Sequence, residues 1–147
     1  MPLMSKNNWI NVLFLASILF IIRLTMFTES SLGIGEGKGG INLVPFYTMR
    51  DLLFHHSFGD FILNNIGNII LFLPFGFFLP MRFRKIDKLP KSFLVGMFLS
   101  VLIEIVQLFM PNRWTDIDDV LLNTLGTGIG YSLFKVLNQI EIYMKEG

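Results

Sequence analysis

Residues 104–123 read EIVQLFMPNRWTDIDDVLLN, and they join two segments that are otherwise apolar enough to cross a membrane. The stretch combines acidic side chains, an arginine and carboxamides with runs of leucine, isoleucine and valine. Ionisable groups at membrane depth are energetically costly, so they are usually paired with a partner or used in function. The stretch therefore predicts a membrane protein whose functional residues lie within or beside its spanning segments.

The composition of the whole chain supports this class. Of its 147 residues, 52% are hydrophobic and 16% are charged, whereas soluble domains carry about a quarter charged residues. The length predicts a single domain over residues 1–147. The net charge of +1 lacks the basic excess of a nucleic-acid-binding protein, so we expect no nucleic-acid partner. There is no cysteine, which excludes disulfides and thiolate metal sites.

Four apolar segments are candidates to cross the membrane as helices, each close to the roughly 20 residues that a helix needs to span the hydrocarbon. They are residues 9–28, 61–80, 92–110 and 119–137. No run alternates with a period of two over the length of a barrel strand, so strands are not expected. The sequence predicts an all-α, multi-pass protein of the cell membrane.

The loop after the second segment, residues 81–91, sets the predicted orientation. It reads MRFRKIDKLPK and holds five basic residues against one acid. Short loops rich in lysine and arginine stay in the cytoplasm. Four crossings then place both termini in the cytoplasm and residues 29–60 and 111–118 outside. Within that outer loop, residues 46–58 (FYTMRDLLFHHSF) mix aromatic and polar groups, which is typical of an interfacial or re-entrant segment.

Polar residues on three of these segments fall at one depth near the outer surface. Glu104 lies about 9 Å below the outer end of its segment at the rise of an α-helix, and polar groups on two other segments fall at similar depths. Spacings of three or four residues place the members of each segment on one helix face. The three stripes are Asn64 with Asn68, then Ser100, Glu104 and Gln107, then Asp116, Asp119 and Asn123. Together they predict a polar pocket that opens outward, with Arg113 at its rim.

A structural role is the alternative for each of these residues. Thr115 with Asp118 three residues later fits the start of a helix, where the dipole favours acids. The asparagines could join helices by hydrogen bonds. Glu104 needs a partner or a proton at this depth, and Arg113 or Arg23 is the expected partner.

Several weaker patterns complete the chain. Asp116, Asp118 and Asp119 could bind a hard cation, but small acid clusters usually cap or solvate, so no metal is expected. Residues 35–40 match G-x-G-x-x-G but follow a membrane segment instead of a strand, so no dinucleotide cofactor is expected. Gly126 and Gly130 form G-x-x-x-G, which permits close helix contact within the chain or in a homo-oligomer.

An ordered set of short motifs resembles the VanZ-like family over about residues 10–137. The motifs are NLVPF at 42–46, NNIGN at 64–68 followed by FLPFG at 72–76, then Glu104-x-x-Gln107, then Arg113-x-x-Asp116-x-Asp118-Asp119-x-x-x-Asn123-x-x-Gly126. The resemblance implies a bacterial, Gram-positive membrane protein. The family is named for a protein that lowers susceptibility to teicoplanin, a lipid-tailed glycopeptide antibiotic. It implies no agreed biochemical activity.

Two mechanisms remain open. In the first, the pocket binds or shields a cell-envelope ligand, either the glycopeptide or a lipid-linked cell-wall precursor, in contact with the lipid bilayer. The expected ligand-binding residues are Asn42, Asn64, Asn68, Glu104, Gln107, Arg113, Asp116, Asp118, Asp119 and Asn123. In the second, the protein is an intramembrane enzyme that modifies such a precursor, with Glu104 or Asp119 as general acid or base.

Overall fold

The computed structural model describes residues 6–27, 40–111 and 113–146. Most of the glycine-rich match at residues 35–40 therefore lies outside the described residues. Within these ranges, five α-helices and two short strands follow one another in chain order: α1 Lys6–Met26, β1 Gly40–Asn42, α2 Tyr47–His55, α3 Phe58–Arg82, α4 Leu89–Leu108, β2 Trp114–Asp116 and α5 Ile117–Glu146. A 3₁₀ turn at Arg84–Ile86 lies between α3 and α4.

Four of the helices, α1, α3, α4 and α5, are long and apolar enough to cross a membrane. The predicted all-α class with four such segments is confirmed. Large apolar side chains on their outer faces are exposed, for example Leu19, Leu94 and Phe98. A contiguous exposed apolar surface of this kind suits contact with lipid better than contact with water.

Helix boundaries differ from the hydropathy prediction where local hydrogen bonds extend a helix. Helix α3 begins at Phe58 because Ser57 and Asp60 form a capping box, in which each side chain accepts from the other's backbone N–H. Helix α5 continues to Glu146, beyond the predicted end at residue 137. Lys145 and Glu141 form an ion pair one turn apart within that extension.

Helix α3 lies at the centre of the bundle, against α1 and α5, while α4 packs mainly on α5. Two glycines of α5 allow its backbone to lie close to α3. A Cβ atom on Gly126 would overlap the Ile69 backbone, and one on Gly130 would overlap the Leu73 carbonyl. Small residues let helix backbones approach closely inside a membrane. The G-x-x-x-G motif therefore serves contact within the chain, since both glycines are buried against α3.

The two strands were not expected from the sequence. β1 pairs with β2 in parallel, with Gly40 opposite Trp114 and Asn42 opposite Asp116. The sequence argued only against strands of barrel length, and each of these strands has three residues, far too few for a detectable alternation. The pair ties the loop before α2 to the start of α5.

The bundle has two distinct ends. The acidic end holds the strands, α2, and the facing ends of α3, α4 and α5 that carry Asn68, Glu104 and Asp119. The basic end holds residues 82–91 and the second half of α5, where Lys135 pairs with Asp87 at 2.7 Å. The buried apolar core lies between them, on α1, α3 and α4, and comprises Phe14, Ile21, Leu71, Phe72, Phe75, Leu79 and Ile103.

Candidate functional site

A linked set of polar side chains occupies the acidic end, and Glu104 is near its centre. The backbone N–H of Asp116 donates to Glu104 Oε2 at 2.8 Å, and the hydroxyl of Thr115 donates to the Glu104 carbonyl at 3.1 Å. Both bonds join α4 to β2. Glu104 is only 5% exposed, so the bond to Oε2 offsets part of the cost of burying this carboxyl group away from solvent.

Asp116 connects Glu104 to β1 and caps the N-terminus of α5. Its Oδ1 accepts from Asn42 Nδ2 at 2.9 Å and from the backbone N–H of Asp118 at 2.9 Å. The second bond is that of an N-cap residue, whose side chain satisfies a free N–H in the first helical turn. The helix cap is therefore Asp116, whereas the sequence pattern predicted Thr115. The hydroxyl of Thr115 is committed to α4 instead.

Asp118 is fully buried and fixes the position of α2. Its two carboxylate oxygens accept from the backbone N–H groups of Phe46, at 2.5 Å, and Met49, at 3.1 Å. Phe46 has a φ of 64°, in the left-handed region that costs a non-glycine residue about 1–2 kcal/mol. The carboxylate thus stabilises a strained entry into α2. Asp118 is a structural residue in this fold, and it was predicted as part of the ligand-binding set.

Asp119 and Asn123 lie one turn apart on the same face of α5. Asn68 Nδ2 donates to Asp119 Oδ1 at 2.7 Å, which joins α5 to α3. Asn123 Nδ2 donates to Ser100 Oγ at 2.8 Å, which joins α5 to α4. Asn123 is 2% exposed, and its Oδ1 accepts no hydrogen bond from the described residues. Asp119 is partly exposed, so the set reaches the surface there.

Gln107 and Arg113 contact the end of α1 instead of the carboxylates. Gln107 Nε2 donates to the Thr25 carbonyl at 3.0 Å, and Arg113 Nη2 donates to the Met26 carbonyl at 3.2 Å. The described part of the chain holds no ion pair between Glu104 and Arg113 or Arg23. The expected pairing is therefore wrong: the Asp116 N–H occupies the Glu104 carboxylate instead.

Seven of the ten predicted binding residues are joined by hydrogen bonds directly or through a short link of backbone. Asn64 is the exception on α3, because its side chain makes no hydrogen bond to any described residue. We call the linked set the acidic-end cluster: Asn42, Asn68, Glu104, Asp116, Asp118, Asp119 and Asn123. Sequence reasoning missed Thr48, which accepts from Asn42 Nδ2 at 3.1 Å, because nothing in the local pattern links these two residues.

The acidic-end cluster contains acidic and amide side chains but no basic side chain. Its four carboxylates form no ion pair with any described lysine or arginine. Backbone N–H groups and asparagine amides supply the donors instead. Among the described residues, no group of three or more His, Cys, Asp or Glu is arranged to hold a metal ion. The cluster can therefore offer oxygen acceptors to a ligand that carries N–H or O–H donors, or a positive charge.

Comparison with known proteins identifies the family. Residues 9–138 match the VanZ/LLP1 family. Protein VanZ of Enterococcus faecium is 40% identical to the chain over 74 residues, which cover 50% of this chain and 45% of that protein. The chain thus spans less than half the length of this curated relative in the matched region. No solved structure matches. The family match covers most of the chain and confirms the resemblance seen in the motifs, so the chain belongs to the VanZ/LLP1 family.

Proposed function

We propose that this protein is a multi-pass protein of the cell membrane that lowers susceptibility to teicoplanin. In this proposal the basic end lies in the cytoplasm and the acidic end faces outward, as the distribution of basic residues predicts. The acidic-end cluster binds a polar group of a cell-envelope ligand, either the glycopeptide or a lipid-linked cell-wall precursor. Family membership supports the role in resistance. The acidic-end cluster supports a binding site at that end of the bundle.

The observation that carries the binding proposal is the free oxygen of Asn123. A buried amide oxygen without a donor costs about 1–3 kcal/mol, so sites of this kind are normally completed by a water or a ligand. One turn away, Asp119 brings the same face of α5 to the surface. The pair therefore favours a ligand group that donates hydrogen bonds, such as an amine, an amide N–H or a sugar hydroxyl.

The charge of the acidic-end cluster limits which chemical groups of a ligand can bind there. A cluster of acids without a cationic partner among the described residues disfavours an anionic group such as a pyrophosphate, since like charges close together in a weakly polar setting repel strongly. In this proposal Arg113, whose guanidinium donates to the Met26 carbonyl at the end of α1, binds an anionic part of the ligand. The peptide or sugar portion of the ligand then contacts Asp119 and Asn123.

A second function is favoured by one observation. Asp119 is a partly exposed residue, and its carboxylate accepts from a single described donor, Asn68. A carboxylate with one oxygen not engaged by the fold can exchange a proton with a bound substrate. In this alternative the protein is an intramembrane enzyme that modifies a lipid-linked precursor, with Asp119 or Glu104 as acid or base. Conversion of the precursor by purified protein would distinguish it from binding alone.

Cells that express the wild type are expected to tolerate more teicoplanin than cells with an empty vector, and the Glu104→Gln variant is expected to lose that protection. Glutamine keeps an oxygen that can accept from the Asp116 N–H, so the fold is retained, while the second oxygen of the carboxyl group is replaced by an NH2 donor that cannot accept from a ligand. The measurement is the inhibitory concentration of teicoplanin, with the membrane abundance of each variant determined in parallel.

The matched control is Asp51→Asn, which removes one carboxylate from α2, where Asp51 contacts His55 and His56 outside the cluster. This variant is expected to protect like the wild type. Absence of protection by the wild type would contradict the role in resistance. Equal protection by an equally abundant Glu104→Gln variant would contradict the role of the cluster.

A further inference from the structure

A cavity of about 870 Å³ opens at the basic end, away from the acidic-end cluster. Three helices and the loop after α3 line it. Its apolar lining includes Ile10 of α1, Pro80 of α3 and Phe134 of α5. Arg82 and Arg84 also line the cavity and are exposed residues, and we call the side where they lie its mouth. A cavity with an apolar wall and a cationic mouth suits an amphiphile with an anionic head.

The two arginines are not used by the fold as ion-pair partners. Within the described ranges, neither Arg82 nor Arg84 donates a side-chain hydrogen bond or forms a salt bridge. The Arg82 guanidinium lies 4.8 Å from the centroid of the Phe83 ring, which leaves its N–H groups available. The acid that lines the cavity, Asp87, is already engaged by Lys135 at 2.7 Å. The mouth therefore keeps an excess of unneutralised positive charge.

The loop that carries these arginines is held in place. The Phe83 ring, between the two arginines, packs edge-on against Phe14 of α1 with ring centroids 5.6 Å apart. Lys91 Nζ donates to the Lys85 carbonyl at 2.9 Å, which closes the loop on itself. The ion pair of Asp87 with Lys135 fixes it to α5. Binding a ligand at this mouth would thus cost little conformational entropy, because the chain there is already ordered.

We propose that this cavity binds the phosphate of an anionic phospholipid such as phosphatidylglycerol. Arg82 and Arg84 donate to the phosphate oxygens, for which the planar guanidinium is well suited. Asn11 and Asn138, which also line the cavity, supply further donors to the head group. The start of the acyl chains lies along Ile10, Pro80 and Phe134. Basic pockets between spanning helices recognise anionic head groups in this way.

A general electrostatic effect is the competing explanation. Basic loops orient membrane proteins without any specific site, and arginines at the end of α3 interact favourably with its dipole. On that account, Lys85 and Lys88 should contribute as much as the arginines, since all belong to one loop. These lysines do not line the cavity. Comparing the two pairs therefore separates a site from a charged surface.

The test uses the purified full-length protein in a zwitterionic detergent. Short-chain phosphatidylglycerol is titrated by native mass spectrometry, with phosphatidylcholine of the same chains and inorganic phosphate as comparison ligands. The Arg82→Gln/Arg84→Gln variant is expected to bind phosphatidylglycerol at least about tenfold more weakly than the wild type, because one charge-assisted hydrogen bond contributes at least that factor. The Lys85→Gln/Lys88→Gln variant is expected to change affinity by less than about threefold, as for exposed charges.

A second variant keeps the test valid if the double arginine change disturbs the fold. Asn138→Asp places a carboxylate at the cavity from α5, without altering the loop, and is expected to weaken phosphatidylglycerol binding in the same direction. Equal losses in the arginine and lysine variants, or equal binding of phosphatidylcholine by the wild type, would overturn the proposal. Inorganic phosphate that binds as tightly as the lipid would also overturn it, since the apolar wall would then contribute nothing.

Discussion

The Gly130→Ala variant is expected to unfold at a lower temperature than the wild type, because the added methyl group has no space. Gly130 faces the Leu73 carbonyl of α3, where a Cβ atom would collide with backbone instead of a flexible side chain. Helix α5 must then move away from α3. Overpacking of this kind costs about 1–3 kcal/mol, and the larger values apply where a backbone has to shift. A Gly126→Ala change is expected to lower the stability for the same reason, because Gly126 lies one turn earlier in the same contact.

Gly67→Ala is the matched control for this prediction. It is the same chemical change within a membrane helix, but a Cβ atom on Gly67 would have no neighbour within 4 Å. Replacing a helical glycine with alanine at an open position stabilises a protein by about 0.4–1 kcal/mol. Thermal unfolding in detergent should therefore shift downward for Gly130→Ala and slightly upward for Gly67→Ala. Shifts of equal sign and size would contradict the close α3–α5 contact.

Asp118→Ala is expected to release α2 from the bundle. The carboxylate accepts two backbone N–H groups at the start of α2, and it holds Phe46 in its left-handed conformation. Removing it leaves both donors without a described partner, at about 1–3 kcal/mol for each group that stays buried. The local structure is expected to respond by exposing the segment to solvent. Hydrogen exchange at the amides of Phe46 and Met49 measures this directly.

The exchange experiment has an internal reference and a matched variant. Amides in the middle of α3, which do not contact Asp118, are expected to keep their protection. Asp51→Asn removes a carboxylate from α2 itself and is expected to leave the Phe46 and Met49 amides protected. Unchanged exchange at Phe46 and Met49 in Asp118→Ala would show that α2 is held by other contacts, such as the buried Leu52.

Features of the fold that depend on local pattern were predictable from the sequence. The four long helices follow from apolar runs of membrane length, and the stripes of Asn68, Glu104 and Asp119 follow from helical spacing. The spacing also placed Asp119 and Asn123 on one face, as the structure shows. These inferences succeed because helix geometry fixes which residues share a face, whatever the rest of the chain does.

Features that depend on distant parts of the chain were not predictable in the same way. Asn42 and Asp116 are 74 residues apart in the sequence, and their hydrogen bond depends on a strand pair too short to leave a pattern. The hydrogen bonds from the start of α2 to Asp118 likewise cross about 70 residues. From the sequence, Asp118 could be assigned only to the first turn of its own helix. The expected arginine partner of Glu104 was wrong because a nearby backbone N–H supplies the donor.

The structure thus divides the predicted site residues by role. Asp118 has both carboxylate oxygens committed to holding α2, whereas Asp116 uses only Oδ1 to start α5 and Glu104 uses only Oε2 to connect α4 to β2. An oxygen that accepts from no described residue remains on five of the predicted residues, namely Glu104, Gln107, Asp116, Asp119 and Asn123. The proposed ligand contact centres on Asp119 and Asn123, because they share one face of α5 and Asp119 reaches the surface, with Glu104 Oε1 as a third acceptor. Asp118 positions α2 beside them.

A binding titration with purified protein in lipid nanodiscs tests the proposed ligand contact most directly. Teicoplanin and a lipid-linked cell-wall precursor are titrated separately into the wild type, Asp119→Asn and Asp51→Asn. We expect saturable binding of at least one of them to the wild type, with affinity about tenfold lower for Asp119→Asn, as for the loss of one charge-assisted hydrogen bond, and unchanged for Asp51→Asn. Failure of both to bind the wild type, or equal affinity for Asp119→Asn, would contradict it.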